Sequence, residues 1–349
     1  MKNAYWALGL ILMVTVSCQK KNEPTVDINT KKKDILNDIA YHVCAASYAD
    51  LHAKALTLEN QTLLLQSSPN DAQLALCRQA WKDVRLTWER TESWLFGPIS
   101  ANNIDPRIDT WPVDFNAIDS VLNTSAPFTE TYVDNLEDAL KGFHPIEYFL
   151  WGSQGNKTAS SFTPRQLEYL VALTFNLRKL CTEVHQTWEN GYANEVATAG
   201  NGSNSYSSVT SAYIELVDAM SGICDEVANG KMNTPFIAQD PTLEESPFAQ
   251  NSLNDFTNNI QGVMMLYKGQ YATDKLGIED LVLFYNTSLD QEIKTSHAEA
   301  VAALQAISSP FGDAILSQPI LVQNAMDKIN ALEAILSTQL KPFLLQHIP

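Results

Sequence analysis

Basic residues are scarce in this chain: 23 Lys and Arg stand against 40 Asp and Glu, a net charge of −17 over 349 residues. A surface of that sign repels nucleic acid and anionic lipid, and it draws cations without choosing among them. Cysteine is scarcer still. Cys18, Cys44, Cys77, Cys181 and Cys224 lie far apart, with no CxxC and no CxxCH. A zinc ribbon, a thioredoxin-type redox pair and a covalent c-type haem are therefore unsupported. The last four sit in apolar helical patterns, which reads as small buried core residues rather than bridges. No HExxH, HxxEH, GxSxG, phosphate loop or dinucleotide fingerprint occurs, and His42, His52, His185, His297 and His347 form no ligand-spaced cluster. The zinc constellation of a metallopeptidase is missing.

Long apolar runs are also lacking, save one at the start. Lys2 precedes an apolar run from about Ala4 to Val16, then Ser17, Cys18 and a polar segment. That run is too short for a membrane-spanning helix and reads as a secretory signal ending in a lipobox, although Thr15 stands where leucine is commoner. The expectation is a signal at 1–17, lipidation at Cys18 and a tether over 18–30. The protein would then sit in the cell envelope, periplasmic or on the outer-membrane surface, meeting the membrane through its lipid anchor alone.

What the sequence has in abundance is helical periodicity. Val322, Met326, Ile329, Leu332, Leu336 and Leu340 recur at steps of three and four. So do Cys77, Trp81, Val84, Trp88 and Leu95, and several further sets. No comparable segment alternates with period two, so the fold class is all-α. The polar break at 153–163 predicts two helical-bundle domains packed side by side, 31–155 and 156–349; a faint duplication of one bundle is a further option. Residues 96–128 hold four prolines and many Asn and Asp, which predicts a long irregular loop in the first domain. Thr163-Pro164-Arg165-Gln166 offers an N-cap, a proline at the first helical position and a glutamine at N3, and Gly191 stands where that helix would stop.

The stretch KGFHPIEYFLWG, 141–152, carries the chemistry. Gly142 reads as a left-handed C-cap, His144 as the cap region of a new helix, Pro145 as its first residue and Glu147 as N3, where a carboxylate satisfies free backbone N–H groups. The same spacing puts His144 and Glu147 on one face, close enough to share a ligand. Helix punctuation and a ligand site are both open.

GFHPIEYFLWG resembles the GxHxxE signature of the imelysin-like proteins, the M75 peptidase-like family. Two further stretches resemble it in the right order: AWKDVRLTWERTESWLFGPIS continuing into DPRIDTWPVD, and EESPFAQNSLNDFTNNIQGVMMLYKG. Together they cover nearly all of the chain after the signal; Pro145 departs from the alanine common in the family. The resemblance implies two helical bundles with the motif near their interface, in a cell-envelope lipoprotein associated with iron acquisition. Carried over, the motif is Gly142, His144 and Glu147. The other stretches contribute Arg85, Glu89, Arg107, Asp109, Trp111, Asp114, Glu245 and Ser246, as a functional pocket or as ion pairs pinning the long loop, for instance Arg107 with a carboxylate.

Iron accepts imidazole and carboxylate, so His144 and Glu147 would supply two metal ligands, with Asp109, Glu245, water or a chelator completing the set. The expected ligand is iron or an iron-bearing small molecule. The alternatives are haem with His144 as axial ligand, and a non-catalytic module docking an envelope receptor or redox partner. A peptidase with Glu147 as base is disfavoured by the missing zinc constellation.

Overall fold

The computed structural model describes residues 27–348, so the expected signal, Cys18 and most of the tether lie outside the described residues. Among the described residues the fold is all-α, and the sole strand-like pairing is an isolated bridge between Gln270 and Asp274. Nine helices carry the architecture: α1 Ile28–Asp38, α2 Ala46–Ser67, α3 Asp71–Thr91, α4 Phe143–Trp151, α5 Pro164–Thr187, α6 Val209–Asp225, α7 Ser252–Lys268, α8 Thr287–Gln305 and α9 Pro319–Ile335.

The periodic apolar positions explain the packing. Helix α2 packs on both α3 and α5, with α4 bridging α3 and α5, while α6, α7, α8 and α9 form a second bundle. Val322, Ile329 and Leu332 of α9 are fully enclosed, each such side chain contributing about 1.5–3 kcal/mol by leaving water. The two bundles meet where α3 packs on α7. Because α5 packs on α2, the polar break at 153–163 joins two helices of the first bundle, and the chain crosses to the second after 195–208. The seam is therefore not the boundary expected at 155/156.

Local signals were followed in part. Thr163 caps α5 with the full reciprocal box to Gln166, and Pro164 takes the first helical position. Gly191, however, does not end that helix: the chain continues through a π-helical turn, Trp188–Tyr192, and kinks at the glycine. Cys44, Cys77, Cys181 and Cys224 are buried and free. Residues 96–128 are not the irregular loop expected. They form short helices, Pro98–Ala101, Ile104–Asp109 and Phe115–Leu122, because Ile104, Ile108, Ile118 and Val121 each find apolar cover.

Candidate functional site

The motif helix α4 starts at Phe143, two residues earlier than expected, with Gly142 as its N-cap residue rather than the C-cap of a preceding helix. Pro145 is tolerated at the third position because the first-turn N–H groups have no intrahelical partner. Glu147 thus falls beyond the first turn and does not cap its own helix. Gly142 has φ +83°, and a Cβ there would stand 2.2 Å from the carbonyl oxygen of Ile108. Only glycine lets α4 approach the Ile104–Asp109 helix this closely. That approach brings His144 to Asp109.

His144 lies with Nε2 3.0 Å from Asp109 Oδ1 and Nδ1 3.3 Å from Glu147 Oε2. Trp111 covers the ring, centroids 5.1 Å apart. Burial disfavours its charge, but the bonds to Asp109 and Glu147 outweigh that and raise it to about 9. At neutral pH the imidazolium pairs through Nδ1 with Glu147 in a hydrogen bond, while Nε2 faces Asp109 as an ion pair without hydrogen-bond alignment. The other oxygen of Glu147 accepts the backbone N–H of Ala249 at 2.7 Å, so the motif is tied to the second half of the chain.

Arg85 of α3 is the hub, fully enclosed, as is Glu89 one turn on. Its guanidinium binds Asp109, Glu89 Oε1 at 2.7 Å and Glu245 Oε1 at 2.8 Å, with Asp255 Oδ1 at 3.6 Å from Nε. Trp88 Nε1 donates to the second oxygen of Asp109 at 2.7 Å. From the second bundle, Lys231 Nζ reaches Glu92 at 2.7 Å and Glu245 at 2.8 Å, and Asn259 donates to Glu89 Oε2 at 2.8 Å. Ser246 donates to Asp255 at 2.6 Å. The network therefore fills the seam between α3 and α7.

Three cations, Arg85, Lys231 and His144, face six carboxylates: Glu89, Glu92, Asp109, Glu147, Glu245 and Asp255. Burial pushes Glu89 well above its ordinary range and Glu92 up to about 8, although Arg85 and Lys231 oppose it. Burial also works against the charge of Asp109, yet Arg85 and then His144 hold it well below the usual carboxylate range. The excess acid is thus kept partly as protons. Glu89, Glu92, Asp109 and Glu245 each offer an oxygen within 4.8 Å of the others, and Glu245 Oε2 is buried without a hydrogen-bond partner.

Of the expected site residues, the structure brings together Arg85, Glu89, Asp109, Trp111, Gly142, His144, Glu147, Glu245 and Ser246. It does not include Arg107, which is half-buried and 3.8 Å from Glu183 of α5, or Asp114, whose carboxylate caps Phe115–Leu122 through the N–H of Ala117. Arg107 does meet a carboxylate, but at the surface. Sequence reading missed Glu92, Lys231, Asp255 and Asn259. Glu92 follows Glu89 by three, and Asp255 and Asn259 are four apart on the buried face of α7, so helical spacing from recognised residues reaches them; nothing local marks Lys231.

Comparison with known proteins agrees with this architecture. Residues 44–339 match the family model for imelysin, the M75 peptidase family. Iron-regulated protein A of Synechococcus elongatus is 30% identical over 312 residues, covering 86% of this chain and 84% of that protein. A crystal structure assigned to an iron-regulated protein A precursor of Parabacteroides distasonis superposes with TM-score 0.81 at 23% identity, covering 91% of this chain and 95% of the other. An imelysin-like protein of Psychrobacter arcticum gives 0.72 at 15% identity, over 90% and 96%. With three ordered sequence stretches meeting at one seam and the family model spanning most of its length, the chain belongs to the imelysin family.

Proposed function

We propose that this protein takes part in iron uptake as a cell-envelope lipoprotein anchored at Cys18, by binding iron or an iron compound at the seam between its bundles. The observation that carries the reading is the enclosed set Glu89, Glu92, Asp109 and Glu245. Carboxylate oxygens suit a hard, highly charged cation, and the excess of three carboxylates over the cations present leaves charge for one to neutralise. Glu89 and Glu92 would release their protons on binding, and the ammonium of Lys231 would yield its place. The kinship with Iron-regulated protein A of Synechococcus elongatus supports the iron-related role.

His144 and Glu147 then act beside the metal: the imidazolium orients Asp109, and its ring becomes a ligand itself only on losing a proton. A haem iron would meet the same obstacle, since both nitrogens face carboxylates. That closure favours a second reading, in which the motif is architecture for a surface that docks an envelope receptor or redox partner. Calorimetric titration with ferrous iron, ferric citrate and haemin, beside Glu245→Gln, His144→Ala and Glu147→Ala, separates the two. Saturable iron binding lost in Glu245→Gln supports the uptake reading. Absence of binding to all three, with folded variants, overturns it in favour of docking.

A further inference from the structure

The loop from Glu244 to Asn251 has two faces. One delivers Glu245, Ser246 and the N–H of Ala249 to the seam. The other delivers Glu244 and Phe248 to an adjoining cavity of 670 Å³, whose lining also includes Trp111, Phe115 and Asp313. That volume is in the range of sites for small organic molecules.

Its walls are aromatic and its charge is of one sign. Phe248 stands nearly edge-on to Trp111 at 6.0 Å and 67°, to Phe115 at 5.9 Å and 78°, and to Tyr148 at 5.5 Å and 63°. Three aromatic side chains, Trp111, Phe115 and Phe248, thus meet at one wall of the cavity. Phe115 packs on Tyr148 and Phe248 yet keeps 40% of its surface exposed. Glu244 is buried, and both hydrogen bonds it accepts, from Ser252 Oγ at 2.9 Å and Gly312 N–H at 3.1 Å, fall on Oε2, leaving Oε1 without a donor. Asp313 adds an exposed carboxylate, and among the described residues no Lys, Arg or His lines the cavity.

Aromatic rings attract cations through their quadrupole, and the exposed Asp313 carboxylate at the same wall adds charge attraction while excluding anions; Glu244, raised to about 7 by burial, adds its charge only on losing its proton. A bare metal ion would keep its water shell and gain little from the rings. From this combination we infer that the cavity binds a small organic cation, of the quaternary or alkylated ammonium class. The inference stands apart from the iron reading, and its test is run without iron.

The full chain is titrated calorimetrically with benzyltrimethylammonium and choline, and with 3,3-dimethylbutanol, which replaces the charged nitrogen of choline by carbon. The expected result is saturable binding of a cation, with choline roughly tenfold tighter than its neutral counterpart. Phe248→Ala and Asp313→Asn each weaken it several-fold; the second lies at an exposed residue, so its effect is read on a folded protein. Equal binding of the neutral alcohol, absence of saturable heat with both cations, or unchanged affinity in Asp313→Asn and Phe248→Ala would overturn the assignment.

Discussion

Two interfaces of this molecule solve the same packing problem with opposite chemistry. Inside the second bundle, α8 and α9 close over Ile293, Ala300, Val322, Ile329 and Leu332, all enclosed and apolar. At the seam, α3 and α7 close over Arg85, Glu89, Asp255 and Asn259. The first arrangement stabilises through area removed from water. The second must overcome the desolvation of each charge before any attraction counts, and well-packed apolar residues of similar volume would often do as well or better. The seam is therefore a poor way to hold two bundles together and a good way to keep charge and protons in reserve. The difference teaches where to look for function: at the interface whose chemistry exceeds what packing needs.

The comparison breaks most sharply at Arg85. Replacing it by methionine keeps much of the volume but leaves Asp109, Glu89 and Glu245 without their shared counter-cation. An uncompensated buried charge costs about 3–5 kcal/mol, and urea unfolding should show that loss. In the second bundle, Leu332→Ala should cost about 3 kcal/mol through lost transfer energy and a residual cavity. The two variants separate on titration: the deficit of Arg85→Met should shrink at acid pH, where the orphaned carboxylates take up protons, and that of Leu332→Ala should not.

The helices and the bundle class were legible because burial imposes a three-and-four rhythm wherever one helix face is apolar. The seam was legible only through resemblance, since Arg85 and Glu89 interrupt the apolar rhythm of α3 without saying what they meet. Asp109 lies more than a hundred residues before Lys231 and Glu245 in the chain, and nothing in their neighbours specifies a shared centre. The start of α4 was misread for a physical reason. Pro145 suits a first helical position, but the close approach at Gly142 to Ile108 decides where the helix begins, and that contact is tertiary.

Titration sharpens the contrast by an effect on the order of 2 kcal/mol. His144 is raised from 6.5 to about 9 in the folded protein, so its contribution is complete below pH 6.5 and is lost as pH rises through 9. Glu92, held near 8 by burial, works in the same direction: folding favours its protonated form, and that advantage disappears as pH climbs. In the second bundle His297 is lowered to about 4 by burial, so it contributes stability at neutral pH that is lost as pH falls from 6.5 through 4. Thermal unfolding should therefore show the wild type weakening toward pH 9, with Glu92→Gln flattening part of that slope. His297→Gln should flatten the acid limb instead. An alkaline slope unchanged in Glu92→Gln would show that the seam does not hold its acid as protons.

The smallest effect tests whether geometry alone accounts for the seam. Lys328 Nζ lies 2.7 Å from Glu299 Oε2, the same separation as Lys231 from Glu92, but its side chain and its partner's are 40% and 51% exposed. Water screens that pair, and fixing two long side chains costs entropy, so its expected worth is under about 0.5 kcal/mol. Lys328→Met should leave the unfolding midpoint nearly unchanged at low and at high salt. A large loss would mean that distance rather than burial sets the value of these ion pairs, and the contrast between the two interfaces would lose its physical basis.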